Sequence, residues 1–108
     1  MSVIPEGFQM GSRAFIVEKN SKIEGFPNYL GLAMFNERRI ILAEDLDAET
    51  EEEVYWHEMI HIALSCLGKH ELNDDEEFVD LLAQHLLQAM RTSYITKTAP
   101  KKKKGKKK

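Results

Sequence analysis

The chain has 108 residues, 43% of them hydrophobic, which suits one domain around one core and is too apolar for a disordered protein. No apolar run approaches the ~20 residues that a bilayer-spanning helix needs, so membrane insertion is not expected. The formal net charge of −3 hides an asymmetry: eight of the 15 basic residues are lysines within 97–108, which leaves residues 1–96 with 7 basic against 18 acidic side chains, a formal −11. The expected organisation is an acidic domain over 1–96 and a disordered, lysine-rich tail over 97–108.

The N-terminal MSVIPEGFQMGSR lacks the basic start and apolar core of a secretory signal. GFQM and RAFIVEK flank Gly11–Ser12, which reads as a hairpin. The stretch NSKIEGFPNYL is rich in loop formers, and Pro27 breaks any regular element there. GLAMF and RRIILAE flank Asn36–Glu37, a second hairpin. Three or four short antiparallel strands are expected, and so small a sheet needs helices on one face.

A first helix is expected from near Asp47, the N-cap, to near Gly68 at its C-terminal end. Glu49, Glu51, Glu52 and Glu53 suit the positive end of its dipole. Val54, His57, Ile60, His61, Leu64 and Leu67 share one face at helical spacing, which turns both histidines inward. Tyr55 and Trp56 read as core packing, and so does Cys66; a lone cysteine has no intramolecular partner and fits a reducing cytoplasm. A second helix is expected from near Asn73, with Asn73 as N-cap and Glu76 closing a capping box. Phe78, Leu81, Leu82, His85, Leu86 and Ala89 form its apolar face, and the short connection LGKHEL makes the helices antiparallel neighbours. The fold class is therefore α+β.

The chemistry sits in VYWHEMIHIALSC. Residues four apart stack on a helix, so His57 and His61 can grip one Zn²⁺. Glu58 lies about 100° round the helix from His57, too far to join as a ligand easily but within reach of a water on the metal. Zinc acidifies that water, and Glu58 takes its proton as the general base of a carbonyl hydrolysis. Two unpaired imidazoles on an apolar face would be costly, which weighs against a plain core helix.

A catalytic zinc wants a third protein ligand, and the candidates are Glu76, Glu77, Asp80, His70 and His85. Height along the helix does not choose among them. Glu77 stacks with Leu81 and His85 on the face expected to point inward, so it is favoured, with Glu76 in reserve. His85 reads as a core histidine or a partner behind the ligands, and His70 as solvated.

VYWHEMIHIALSCLG and LNDDEEFVDLLAQHLLQ, preceded by a hairpin ending RRIILAEDL, resemble the ImmA/IrrE family of small zinc metallopeptidases over about residues 8–90, in particular its compact bacteriophage and prophage members. The resemblance implies a zincin-like fold in which an antiparallel sheet covers the HExxH helix. It implies His57, His61 and a glutamate of the second helix, aligned on Glu77, as zinc ligands, with Glu58 as general base. It also implies a protein or peptide substrate and a bacterial cytoplasmic setting. Met34 and Phe35 would belong to an edge strand beside the cleft, onto which a peptide adds as a further strand. Two other readings use the same scaffold: a non-catalytic protein-binding module that contains zinc, and a metal-free one. The tail has three readings: a solvated end, weak salt-sensitive attraction to nucleic acid or an anionic surface, and electrostatic return onto the acidic body.

Overall fold

Gly11 and Ser12 close a two-residue turn between β1 (Gly7–Met10) and β2 (Arg13–Asn20), with Gly11 at φ 63°, a conformation that a Cβ disfavours. The structure, a computed structural model, describes residues 4–21, 23, 25–26 and 28–94; Pro27 and the lysine-rich segment 97–108 lie outside the described residues. The second hairpin joins β3 (Gly31–Met34) to β4 (Arg39–Ala43) through Phe35–Arg38, a longer turn than Asn36–Glu37 alone.

The sheet is mixed, in the order β1-β2-β4-β3. β2 and β4 run parallel, Val17 opposite Ile40, which corrects the expectation of a purely antiparallel sheet. The reason is the route between the hairpins. The connection from β2 carries the chain one strand-width past its neighbour, so β3 forms the edge and β4 returns into the gap in the direction of β2.

α1 spans Ala48–Leu67 and has the expected bounds. Asp47 accepts a hydrogen bond from the Thr50 N–H at 2.7 Å, and Gly68 ends the helix in the left-handed conformation at φ 71°. A short α2 (His70–Asn73) intervenes before α3 (Glu76–Thr92). The N-cap of α3 is Asp75, whose carboxylate accepts from the Phe78 N–H at 3.1 Å, and not Asn73 as the sequence suggested.

Two apolar clusters place α1 between the sheet and α3. Phe15, Ile40 and Leu42 of the sheet pack on Tyr55 and Ile62, with Met59 and Cys66 half-buried beside them. Ile60 and Leu64 pack on Val79 and Ala83 of α3. At about 100° per residue these two sets of α1 side chains point to nearly opposite sides of the helix. Trp56 touches both clusters, and the roles expected for Tyr55, Trp56 and Cys66 in packing are met. Arg91 near the end of α3 donates to the Glu52 carboxylate at 3.0 Å and to the Glu49 carbonyl at 3.1 Å, near the start of α1, so the helices run antiparallel. Lys19 of β2 pairs with the buried Glu51 of α1 at 2.9 Å.

The inward face of α3 differs from the expected one. Val79, Ala83 and Leu87 are buried, Phe78 and Leu82 are half-buried, and Leu81, His85, Leu86 and Ala89 are exposed. Leu67 at the end of α1 is exposed as well. Ala83 packs in the α1–α3 cluster beside Val79, and the same face of α3 carries Glu76 and Asp80 toward the histidines of α1. Among the described residues, no helix is long and apolar enough to cross a membrane.

Candidate metal centre

α1 has a third side, between its sheet-facing and α3-facing stripes. Helical spacing puts His57, Glu58, His61 and Ser65 there. They line a cleft of about 580 Å³ bounded by Tyr29, Gly31–Ala33 and Phe35 on one wall and by Asn73 and Glu76 on the other. The histidines therefore stand on the wall of a cleft and are half-buried.

His57, His61 and Glu76 each bring a ligand atom to within 4.8 Å of the others. The His57 Nε2 lies 3.2 Å from Glu76 Oε1, and the His61 Nε2 lies 3.3 Å from Glu76 Oε2. These two distances, to different oxygens of Glu76, are close to the about 3.3–3.4 Å between ligand atoms on a tetrahedral zinc with bonds of about 2.0–2.1 Å, and two imidazoles with a carboxylate are a donor set that suits the ion. The Glu76 side chain is 68% exposed, which leaves one side of the cluster open to the cleft.

The sequence favoured Glu77, but the structure does not bring Glu77 to the histidines; Glu76 stands there instead. The cause is the cap. With Asp75 as N-cap, Glu76 is the first residue of α3 and has no capping-box duty, and it lies on the side of α3 that carries Asp80 and Leu87. His85 is exposed, with its Nδ1 2.7 Å from the Leu81 carbonyl, and His70 is exposed at the start of α2; neither is part of the cluster.

Each histidine has a second partner behind it. The His61 Nδ1 is 2.5 Å from Asn73 Oδ1, and the Asn73 amide donates to Ser65 Oγ at 3.0 Å. The His57 Nδ1 is 3.5 Å from Asp80 Oδ1, an ion-pair distance and longer than a firm hydrogen bond. Both rings thus turn their Nε2 atoms to Glu76. Sequence reasoning had weighed Asp80 as a ligand and had assigned Asn73 to a cap. The one available signal was that NDD offers three capping residues, of which only one can cap.

Glu58 is held beside the histidines by β3. Burial is the main influence on its carboxyl and pushes the pKa above 4.5; the charges of His57 and His61 and the Ala33 N–H, which donates to it, pull the other way, and Glu76 adds to the rise. That N–H is available because β3 is an edge strand. Ala43 N–H donates to the Leu30 carbonyl, so the backbone groups of Leu30, Leu32 and Met34 turn toward β4, and those of Gly31 and Ala33 turn to the free edge. Gly31 is required at this crossing, since a Cβ there would run into Val54 Cγ1 and would come within 3.3 Å of Glu58 Cγ. The sequence offered a signal for it, a glycine within a strand.

No family model, no curated protein and no solved structure matches this chain.

Proposed function

We propose that this chain is a zinc-dependent peptidase of zincin-like architecture, a compact member of the ImmA/IrrE family working in a bacterial cytoplasm. The observation that carries the reading is the convergence of the His57, His61 and Glu76 ligand atoms to within 4.8 Å of one another, with the half-buried Glu58 carboxyl in the same cleft. His57, His61 and Glu76 would hold the ion, and Glu76 would take the role that the sequence had given to Glu77. Zinc bound there supplies a Lewis acid that polarises a scissile carbonyl and acidifies a water.

The chain's own groups do the rest. A peptide lies in extended form along β3, exchanging hydrogen bonds with the backbone of Gly31 and with the Ala33 carbonyl. The Ala33 N–H fixes the Glu58 carboxylate beside the ligands. Glu58 accepts the proton of the attacking water as its oxygen adds to the carbonyl carbon. It then delivers that proton to the leaving nitrogen as the C–N bond breaks. Burial, by raising the carboxyl's pKa, makes it a stronger base and suits it to both transfers.

The test starts from protein stripped by a chelator. Added zinc should bind at one equivalent and raise the melting temperature, and new peptide termini should appear by mass spectrometry when the loaded protein meets unfolded substrate proteins. Glu58→Gln should keep zinc and lose about 10²–10⁴-fold in cleavage rate. Cleavage that survives this substitution overturns the mechanism, and a wild type that binds no zinc overturns the reading entirely. Zinc binding without any cleavage would favour the non-catalytic binding module.

A further inference from the structure

We infer that Asn73, braced by Ser65, is a positioning residue that fixes the ring of His61 and makes it the anchored ligand of the metal centre. The inference rests on the metal reading above and goes beyond it by assigning work to α2, which is otherwise a single turn with no buried residue.

A histidine binds metal through one nitrogen, and the hydrogen bond made by the other decides whether that nitrogen is free to do so. With a metal on Nε2, the atom that faces Glu76, the Nδ1 of His61 carries the ring's proton and needs an acceptor. Asn73 Oδ1 stands 2.5 Å from that Nδ1. A carboxamide can present either its oxygen or its NH₂ group, and only the oxygen gives the ligating tautomer. Ser65 braces the amide in this orientation: its Oγ takes the hydrogen bond from Asn73 Nδ2 at 3.0 Å on the other side. Ser65 is one turn after His61 on α1, so the brace and the ligand move together.

α2 is what puts the amide there. The Asn73 N–H donates to the Lys69 carbonyl at 2.9 Å, and the Asp74 N–H donates to the His70 carbonyl at 3.0 Å, which locks the backbone of the turn. Asp75 then starts α3 and delivers Glu76 to the opposite side of the same imidazole. His61 is thus gripped from both sides by residues three apart. His57 lacks an equal support, because its Nδ1 is 3.5 Å from Asp80. The site pairs one firmly held imidazole with one that has more freedom.

Zinc affinity, measured by competition with a chromogenic chelator, tests this on three variants, with the melting temperature of each metal-free protein recorded alongside. Asn73→Leu has a similar size and no acceptor, and should lose about 10–100-fold in affinity. Asn73→Asp keeps an oxygen toward Nδ1 and should bind within a few-fold of wild type. Ser65→Ala should lose less than Asn73→Leu. The Co²⁺-loaded Asn73→Asp protein should also show the wild-type visible spectrum. Wild-type affinity in Asn73→Leu would overturn the inference. So would an equal loss in Asn73→Asp, which would mark a structural role that only the amide fills. A wild type that binds no zinc removes the metal reading and this inference with it, whereas a wild type that binds while Asn73→Leu binds equally well removes this inference alone.

Discussion

α1 presents two surfaces built on opposite principles. Toward the sheet, Tyr55 and Ile62 meet Phe15, Ile40 and Leu42 in a region sealed from water. Toward the cleft, His57, Glu58, His61 and Ser65 meet Glu76, Asp80, Asn73 and the Ala33 N–H through polar contacts. Both surfaces recur at the same helical period, so periodicity alone does not separate them. They differ in what their partners supply. The apolar side gains from area removed from water, with little demand on direction. The polar side works only if each nitrogen and oxygen meets a partner of the right kind at the right angle. Stability should therefore live on the sheet side and chemistry on the cleft side.

The largest effect expected from that division is in the sealed region. Ile62→Ala should cost about 2–5 kcal/mol of folding stability, because the surrounding Phe15, Ile40, Leu42 and Tyr55 cannot close the cavity fully. Urea unfolding measures this, and zinc affinity under conditions where the variant stays folded should remain within a few-fold of wild type. His61→Ala is the mirror experiment. It should change metal-free stability by about 1 kcal/mol or less and abolish the zinc-induced rise in melting temperature. If both substitutions strike stability and zinc affinity alike, the two surfaces are one cooperative unit and the division fails.

Gly31 is where the two surfaces meet, and it sharpens the comparison at smaller magnitude. A methyl group there displaces Val54, which packs on the sheet-side cluster, and crowds the Glu58 stem. Gly31→Ala should cost about 1–3 kcal/mol of stability through overpacking. It should also lower cleavage, because β3 and its Ala33 N–H move away from the carboxylate, while His57, His61 and Glu76 keep their zinc affinity. Unfolding, peptide cleavage and zinc titration on one preparation would show this pattern. A loss of zinc affinity as large as that in His61→Ala would mean that β3 shapes the ligand set itself.

What could be read in the sequence divides along the same line. The ends of α1 were legible, because Asp47 and Gly68 act through their own side-chain and backbone chemistry. The turn at Gly11–Ser12 was legible for the same reason. His57, Glu58 and His61 announced themselves by spacing within one helix. Whatever depends on how elements meet was not legible. Nothing in the composition of the connection before β3 says that the chain passes one strand-width further, so the parallel pairing of β2 and β4 was missed. Along α3, the stripe through Leu81, His85 and Leu86 outshone the narrower one through Val79, Ala83 and Leu87, and that inverted phase favoured Glu77 over Glu76. The capping residue was misassigned by two positions, which concealed Asn73 as a partner of His61.

The smallest expected effect concerns Glu58, a cleft residue whose burial works against the metal-free fold. A carboxyl whose pKa is raised in the folded state holds its proton more tightly there than in the unfolded chain. The folded state is then favoured most below the unfolded value, near 4.5, and loses that advantage as the pH rises through the raised value. Glu58→Gln has the same shape, can still accept the Ala33 N–H through its amide oxygen, and does not titrate. In chelator-treated protein, the two melting temperatures should therefore be closest near pH 4. The variant should become the more stable as the pH rises, and the gap should level off once the wild-type carboxyl is ionised in both states. Groups common to both proteins, Asp47 among them, cancel in the difference. The gap should be smaller than the cost of an Ile62 cavity, since the histidines and the Ala33 N–H offset part of the burial. Differential scanning calorimetry of the pair from pH 4 to 8 reads it directly. A flat difference, or a wild type that gains on the variant with rising pH, would show that the cleft stabilises the Glu58 carboxylate more than burial penalises it.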